Sequence, residues 1–121
     1  MTPEAVRAVA VGLPGVEDGS TDERLGFGFS GKGLAWTFMQ RDTLRQKRWP
    51  NLDVLAVSCS LEDKAMRLEA APDIFFTDPH YNGYPAVLVR LPVIEADHMA
   101  DLLRQGCDYL VSRPKKRPRA K

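Results

Sequence analysis

Arg41, Arg45, Lys47 and Arg48 crowd into one short stretch that ends at Trp49. Guanidinium and ammonium groups neutralise phosphates, and an indole can stack on a base, so this pattern is the chemistry of a nucleic-acid contact. A solvated loop whose tryptophan covers a sheet explains the same residues equally well. The second chemistry-bearing stretch is Asp78-Pro79-His80-Tyr81-Asn82-Gly83-Tyr84-Pro85, set between the apolar runs Ile74–Phe76 and Ala86–Leu91. Gly and Asn tolerate positive φ, and each Pro fixes its own φ and biases the residue before it toward extended structure. The stretch reads as a shaped loop or hairpin that displays aromatic and polar side chains from a sheet edge.

Other constellations are weaker. Gly26, Gly28 and Gly31 match the spacing of a dinucleotide-binding turn, but they lie inside a strand pattern that leads into another strand. They read as a glycine-rich hairpin. His80 and His98 are the only histidines, and neither has a His or Cys at ligand spacing. For His80 with Asp78, a hydrogen bond that orders the loop is the stronger reading. Cys59 with His80 has no local signature of a nucleophile and base. No catalytic residue, metal site or cofactor is expected, and the chain reads as non-enzymatic.

The 121 residues are enough for one domain with its own core. A hydrophobic content of 44% and a charged content of 27% are those of a soluble globular protein, and no apolar run approaches the ~20 residues that span a bilayer. No membrane partner is expected. Met1-Thr2-Pro3-Glu4 lacks the basic start and apolar core of a signal peptide, so the expected compartment is cytoplasmic. Cys59 and Cys107 are expected as free, buried thiols. The net charge of +1 hides an asymmetry: six of the 17 basic residues fall after Ser112, leaving 11 against 16 acidic ones, a formal −5 for the body. The basic stretch 112–121, interrupted by Pro114 and Pro118, is expected to be a disordered tail to a domain of residues 1–111.

The elements that would position these groups follow from periodicity. Thr2-Pro3-Glu4 caps a first helix whose core face is Val6, Val9, Ala10 and Leu13. A loop spans Glu17–Glu23, with room for a short strand near its end. Leu25–Phe29 and Leu34–Met39 form a hairpin around Ser30-Gly31-Lys32-Gly33. Gln40–Asn51 is expected as a mobile loop or irregular edge, before a strand at Val54–Ser58. Ser60 with Asp63 opens a second helix with Ala65 and Leu68 inward. Strands at Ile74–Phe76 and Ala86–Leu91 precede a last helix carrying Met99, Leu102, Leu103, Gly106 and Leu110 on one face. The order α-β-β-β-α-β-β-α implies an α+β fold in two layers, a mainly antiparallel sheet with helices packed on one face.

Several of these features together resemble the MmcQ/YjbR family of small bacterial proteins: Leu13-Pro14-Gly15-Val16, Gly31-Lys32-Gly33-Leu34-Ala35, the Val54–Cys59 strand with its helix, Pro79-His80-Tyr81-Asn82, and Ala86–Leu91. The similarity runs to about Leu110 and lies in order and spacing. It implies a two-layer α+β fold and a DNA-binding role through two projecting wings, and it lends no catalytic residues. In one branch of the family a basic, tryptophan-containing stretch follows the histidine region; this chain has Asn82-Gly83-Tyr84-Pro85 there. The resulting expectation is a non-enzymatic binding module that takes DNA weakly and in a salt-sensitive manner. Its wings would be the Gly31-Lys32-Gly33 hairpin and Tyr81–Tyr84. Lys32, Arg41, Arg45, Lys47 and Arg48 would contact phosphate, with Trp49, His80, Tyr81, Asn82 and Tyr84 beside them. The alternative is a protein-interaction or small-ligand domain that uses a sheet face lined by Phe27, Phe29, Trp36, Phe38 and Tyr81–Tyr84.

Overall fold

A computed structural model of the chain describes residues 1–43 and 45–112. The residues of the expected tail, 113–121, lie outside it. Three helices, α1 (Pro3–Val11), α2 (Leu61–Ala70) and α3 (Ala96–Ser112), accompany six strands: β1 (Val16–Asp18), β2 (Gly26–Phe29), β3 (Lys32–Gln40), β4 (Trp49–Ser58), β5 (Phe75–Phe76) and β6 (Ala86–Arg90). All strand pairs are antiparallel, in the order β1-β2-β3-β4-β6-β5. The fold is α+β. Thr2 caps α1 by accepting from the Ala5 amide, and Ser60 caps α2 by accepting from that of Asp63.

The two sheet faces are used differently. Leu55 and Val57 of β4 and Val87 and Val89 of β6 join Val6, Ala10, Met99, Leu102, Leu103 and Leu110 in one core. Val54, Ala56 and Leu88, the intervening residues, join Phe38 in a second cluster on the opposite face. This period-two division is the strand geometry itself. A bulge between β2 and β3 interrupts it. Phe27 pairs with Ala35 and Gly28 with Gly33, so Leu34 has no opposite residue and turns into the helix-side core with Ala35.

Three expectations change. The short strand near Glu17–Glu23 lies at the start of that segment, because Val16–Asp18 pairs with Phe27–Phe29 at the sheet edge. Of Gln40–Asn51 the described residues between Gln40 and Trp49 form the expected loop, but its ends are strand: β4 begins at Trp49, and Gln40, Met39 and Phe38 pair with Trp49, Pro50 and Asn51. In α2 Leu68 packs on the core as expected, but the most buried residue is Lys64, at 5% exposure, whereas Ala65 is exposed. The β2–β3 turn is the two-residue Ser30-Gly31, with φ of 54° and 75°. Positive φ at both positions matches the right-handed twist of the strands, and Gly31 meets that requirement without a Cβ penalty.

Gly106 lets α3 lie close on the sheet. A Cβ there would stand 2.8 Å from Leu34 Cδ1 and 3.0 Å from the Ser58 carbonyl oxygen. Leu34 can swing aside, but the strand backbone cannot. Gly106→Ala is therefore expected to destabilise the protein by ~1–3 kcal/mol in urea unfolding, although alanine is the better helix former by ~1 kcal/mol.

Candidate functional site

The β3–β4 hairpin outruns its neighbours. β2 stops opposite Trp36, and β6 covers only Val54–Ser58 of β4. Phe38–Gln40 and Trp49–Asn51 thus pair only with each other, as a two-stranded ribbon. Pro50 is tolerated because that part of β4 has a free side. Asn51 Nδ2 donates to Gln40 Oε1 at 2.9 Å across the ribbon, and the Gln46 amide donates to the Thr43 carbonyl at 3.2 Å near its tip. Arg41, Arg45, Lys47 and Arg48 are all exposed on the connecting loop. Among the described residues none of the four is paired with a carboxylate. Trp49 is 42% exposed, and its Nε1 donates to Asp42 Oδ2 at 3.4 Å.

The segment between β5 and β6 does not project as a wing; it folds back over the second sheet face. Asp78 caps a 3₁₀ turn at Pro79–Tyr81 by accepting from the His80 amide at 3.0 Å. Tyr81 then reaches β3. Its ring meets that of Phe38 edge to face with centroids 5.7 Å apart, and its hydroxyl accepts from Trp36 Nε1 at 2.9 Å. Asn82 and Gly83 form the corner of a β-turn closed by the Tyr84 amide donating to the Tyr81 carbonyl at 3.0 Å; Gly83 supplies the positive φ of 74°. Tyr84 packs edge to face on both Tyr81 and Trp36 and remains 48% exposed.

Two contacts fix this cover. Lys64 Nζ donates to the carbonyls of Tyr81 and Tyr84 from beneath, the latter at 3.0 Å. Burial pushes its ammonium below the ordinary lysine range. From the other side, Arg48 lies 3.1 Å from His80 Nε2, and His80 Nδ1 lies 3.3 Å from Asp78 Oδ1. Arg48 can only donate, so Nε2 accepts and Nδ1–H donates to Asp78. This chain joins the basic ribbon to the aromatic cover. Beside it are two openings that share His80: one of about 350 Å³ lined by Trp36, His80, Tyr81 and Tyr84, and one of about 200 Å³ whose walls include Phe38, Arg41, Arg48 and Asp78.

The structure brings together Arg41, Arg48, Trp49, His80, Tyr81 and Tyr84, with Arg45 and Lys47 at the ribbon tip and exposed Asn82 at the cover's corner. It separates Lys32. That residue begins β3, roughly 30 Å from Arg41 at about 3.4 Å per residue, and its Nζ donates to the Leu110 carbonyl at 3.1 Å. There it meets the negative end of α3. The proposed sheet-face aromatics divide likewise: Phe27 and Phe29 pack on the helix-side core, and Trp36, Phe38 and Tyr81 on the other face. Cys59 lies in the helix-side core, where burial pushes its thiol up to about 11, whereas His80 is exposed and engaged with Asp78 and Arg48. Periodicity missed Lys64 as a determinant of the site, whereas Trp36 was expected on the aromatic sheet face of the alternative reading.

Uncharacterized protein Rv2570 of Mycobacterium tuberculosis is 34% identical to the chain over 122 residues, covering 94% of this chain and 90% of the relative. The chain belongs to the family of that protein. Uncharacterized protein Mb2600 of Mycobacterium bovis matches with the same identity and coverage. No protein-family model and no solved structure matches the chain. Among the described residues, no helix is long and apolar enough to cross a membrane.

The depressed Lys64 pKa has a definite consequence for stability. Because the folded state holds that proton less tightly than the unfolded chain, this group makes stability rise with pH from its folded pKa up to the ordinary value of about 10.4. Unfolding wild type and Lys64→Met across that alkaline window should show the wild type gaining on the variant as pH rises. A difference that stays flat or shrinks contradicts the assignment.

Proposed function

We propose that this protein is a non-enzymatic DNA-binding module whose contact surface is the β3–β4 ribbon, and that it is an MmcQ/YjbR-type protein. The observation that carries the reading is the ribbon tip. Arg41, Arg45, Lys47 and Arg48 extend beyond the flanking strands without carboxylate partners among the described residues, next to a half-exposed Trp49. Each cation set against a phosphate releases condensed counterions, which favours binding most at low salt. The acidic body limits the affinity and confines contact to the ribbon, because like charge repels the phosphates elsewhere. Asp42 and Asp78, which line the same opening as Arg41 and Arg48, are engaged by Trp49 and His80. Two free, buried cysteines suit a reducing, cytoplasmic compartment.

Fluorescence anisotropy with a short labelled duplex, measured over a range of salt, tests this. Binding should weaken as salt rises, and Arg41→Ala, Arg45→Ala and Lys47→Ala should each lower the slope of log affinity against log salt by ~0.9. Binding that is absent at low salt contradicts the proposal. So does binding that disappears when only the residues after Ser112 are removed.

A further inference from the structure

We propose that the paired openings beside the ribbon take one unpaired nucleobase with its phosphate, so that the favoured ligand is single-stranded rather than duplex DNA. This rests on the nucleic-acid reading above and specifies its substrate. The larger opening, about 350 Å³, is a shallow, largely open depression bordered by the rings of Trp36, His80, Tyr81 and Tyr84. Tyr84 stands at 76° to Trp36 and at 85° to Tyr81, so a planar group laid flat on one ring meets the edge of the next. Offset stacking and edge contacts of this kind are how aromatic walls hold a base.

Polar recognition is available in the same place. The Tyr81 hydroxyl accepts from Trp36 Nε1 at 2.9 Å, and among the described residues no protein group takes its own proton. That O–H is free to donate to a base edge. Across His80, the smaller opening of about 200 Å³ is lined by Arg41 and Arg48 together with Asp42 and Asp78, whose carboxylates already accept from Trp49 and His80. Arg48 uses one nitrogen on His80 Nε2 and one on the Met39 carbonyl, which fixes the guanidinium beside the histidine that both openings share. An aromatic space next to one that offers two guanidinium groups, its carboxylates engaged elsewhere, matches a base joined to its phosphate. Perpendicular aromatic walls also suit quaternary ammonium ligands. Here the adjoining guanidinium repels a cation and favours a ligand that carries negative charge.

In a duplex the base faces are stacked and paired, so a base must leave the stack before it reaches such a space. A single strand avoids that cost and gains the stacking. The expected preference is roughly tenfold or more, equivalent to about 1.4 kcal/mol.

The test uses the full chain with three ligands of equal length at low salt: a thymidine oligonucleotide, the same strand made abasic, and a duplex. Thymidine should bind at least tenfold tighter than either of the others. Tyr84→Ala, at an exposed position, should abolish that preference, and Tyr84→Phe should keep it. The thymidine strand and its abasic counterpart carry equal phosphate charge, so any contribution from the cations after Ser112 is a common background for that pair. Equal, salt-sensitive binding of all three, or a preference that survives Tyr84→Ala, overturns this inference and leaves the ribbon reading standing. Binding of none overturns both.

Discussion

The arrangement of the site depends on one packing constraint: a sheet whose two faces are both apolar must be covered twice. Helices α1 and α3 cover one face, with α2 beside them. The other carries Phe38, Val54, Ala56 and Leu88, and among the described residues it is shielded by the segment between β5 and β6. Burial of those side chains drives the segment down, at ~1.5–3 kcal/mol for each large one fully buried. The Trp36–Tyr81 hydrogen bond and the Lys64 ammonium then set where it stops. A cover placed by apolar burial and fixed by polar contacts leaves its outward groups, His80 and Tyr84, in defined positions.

Much of the fold was legible in the residues. The i, i+3, i+4 pattern from Met99 to Leu110 belongs to α3 and is buried as that pattern requires. Alternation marked β2, and apolar runs marked β3 and the second half of β4. What escaped lacks a local signal. Val16-Glu17-Asp18 is a polar edge strand, exposed over two of its three residues. Trp49–Asp53 carries a proline and an aspartate because Trp49–Asn51 is paired on one side only and Leu52 and Asp53 on neither. Lys64 is inward because two backbone carbonyls await it from a segment 17 and 20 residues away. That reason is entirely tertiary, and the apolar pattern pointed to Ala65 instead.

The candidate site divides along the same line. The cations and Trp49 announced themselves by composition, since charge clustering beside an aromatic is visible without coordinates. Their projection was not visible, because it follows from where β2 and β6 end. The aromatic grouping was legible in part: Trp36, Phe38 and Tyr81 were expected on one face and do meet, although Trp36 and Tyr81 are 45 residues apart, whereas Phe27 and Phe29, expected with them, lie on the other face. Lys32 shows the converse. Its charge suggested a phosphate contact, and its position at the far end of β3 gives that charge to the carbonyl end of α3.

Charge and aromatic surface are therefore concentrated at one end of an otherwise acidic protein, joined through Asp78, His80 and Arg48. The most direct test is to map amide chemical shifts on the isotopically labelled protein as a short thymidine oligonucleotide is added. The account predicts perturbations concentrated at residues 41–49 and 80–84, with α2 and α3 unmoved. Perturbations spread over the helical face, or confined to residues after Ser112, would contradict it.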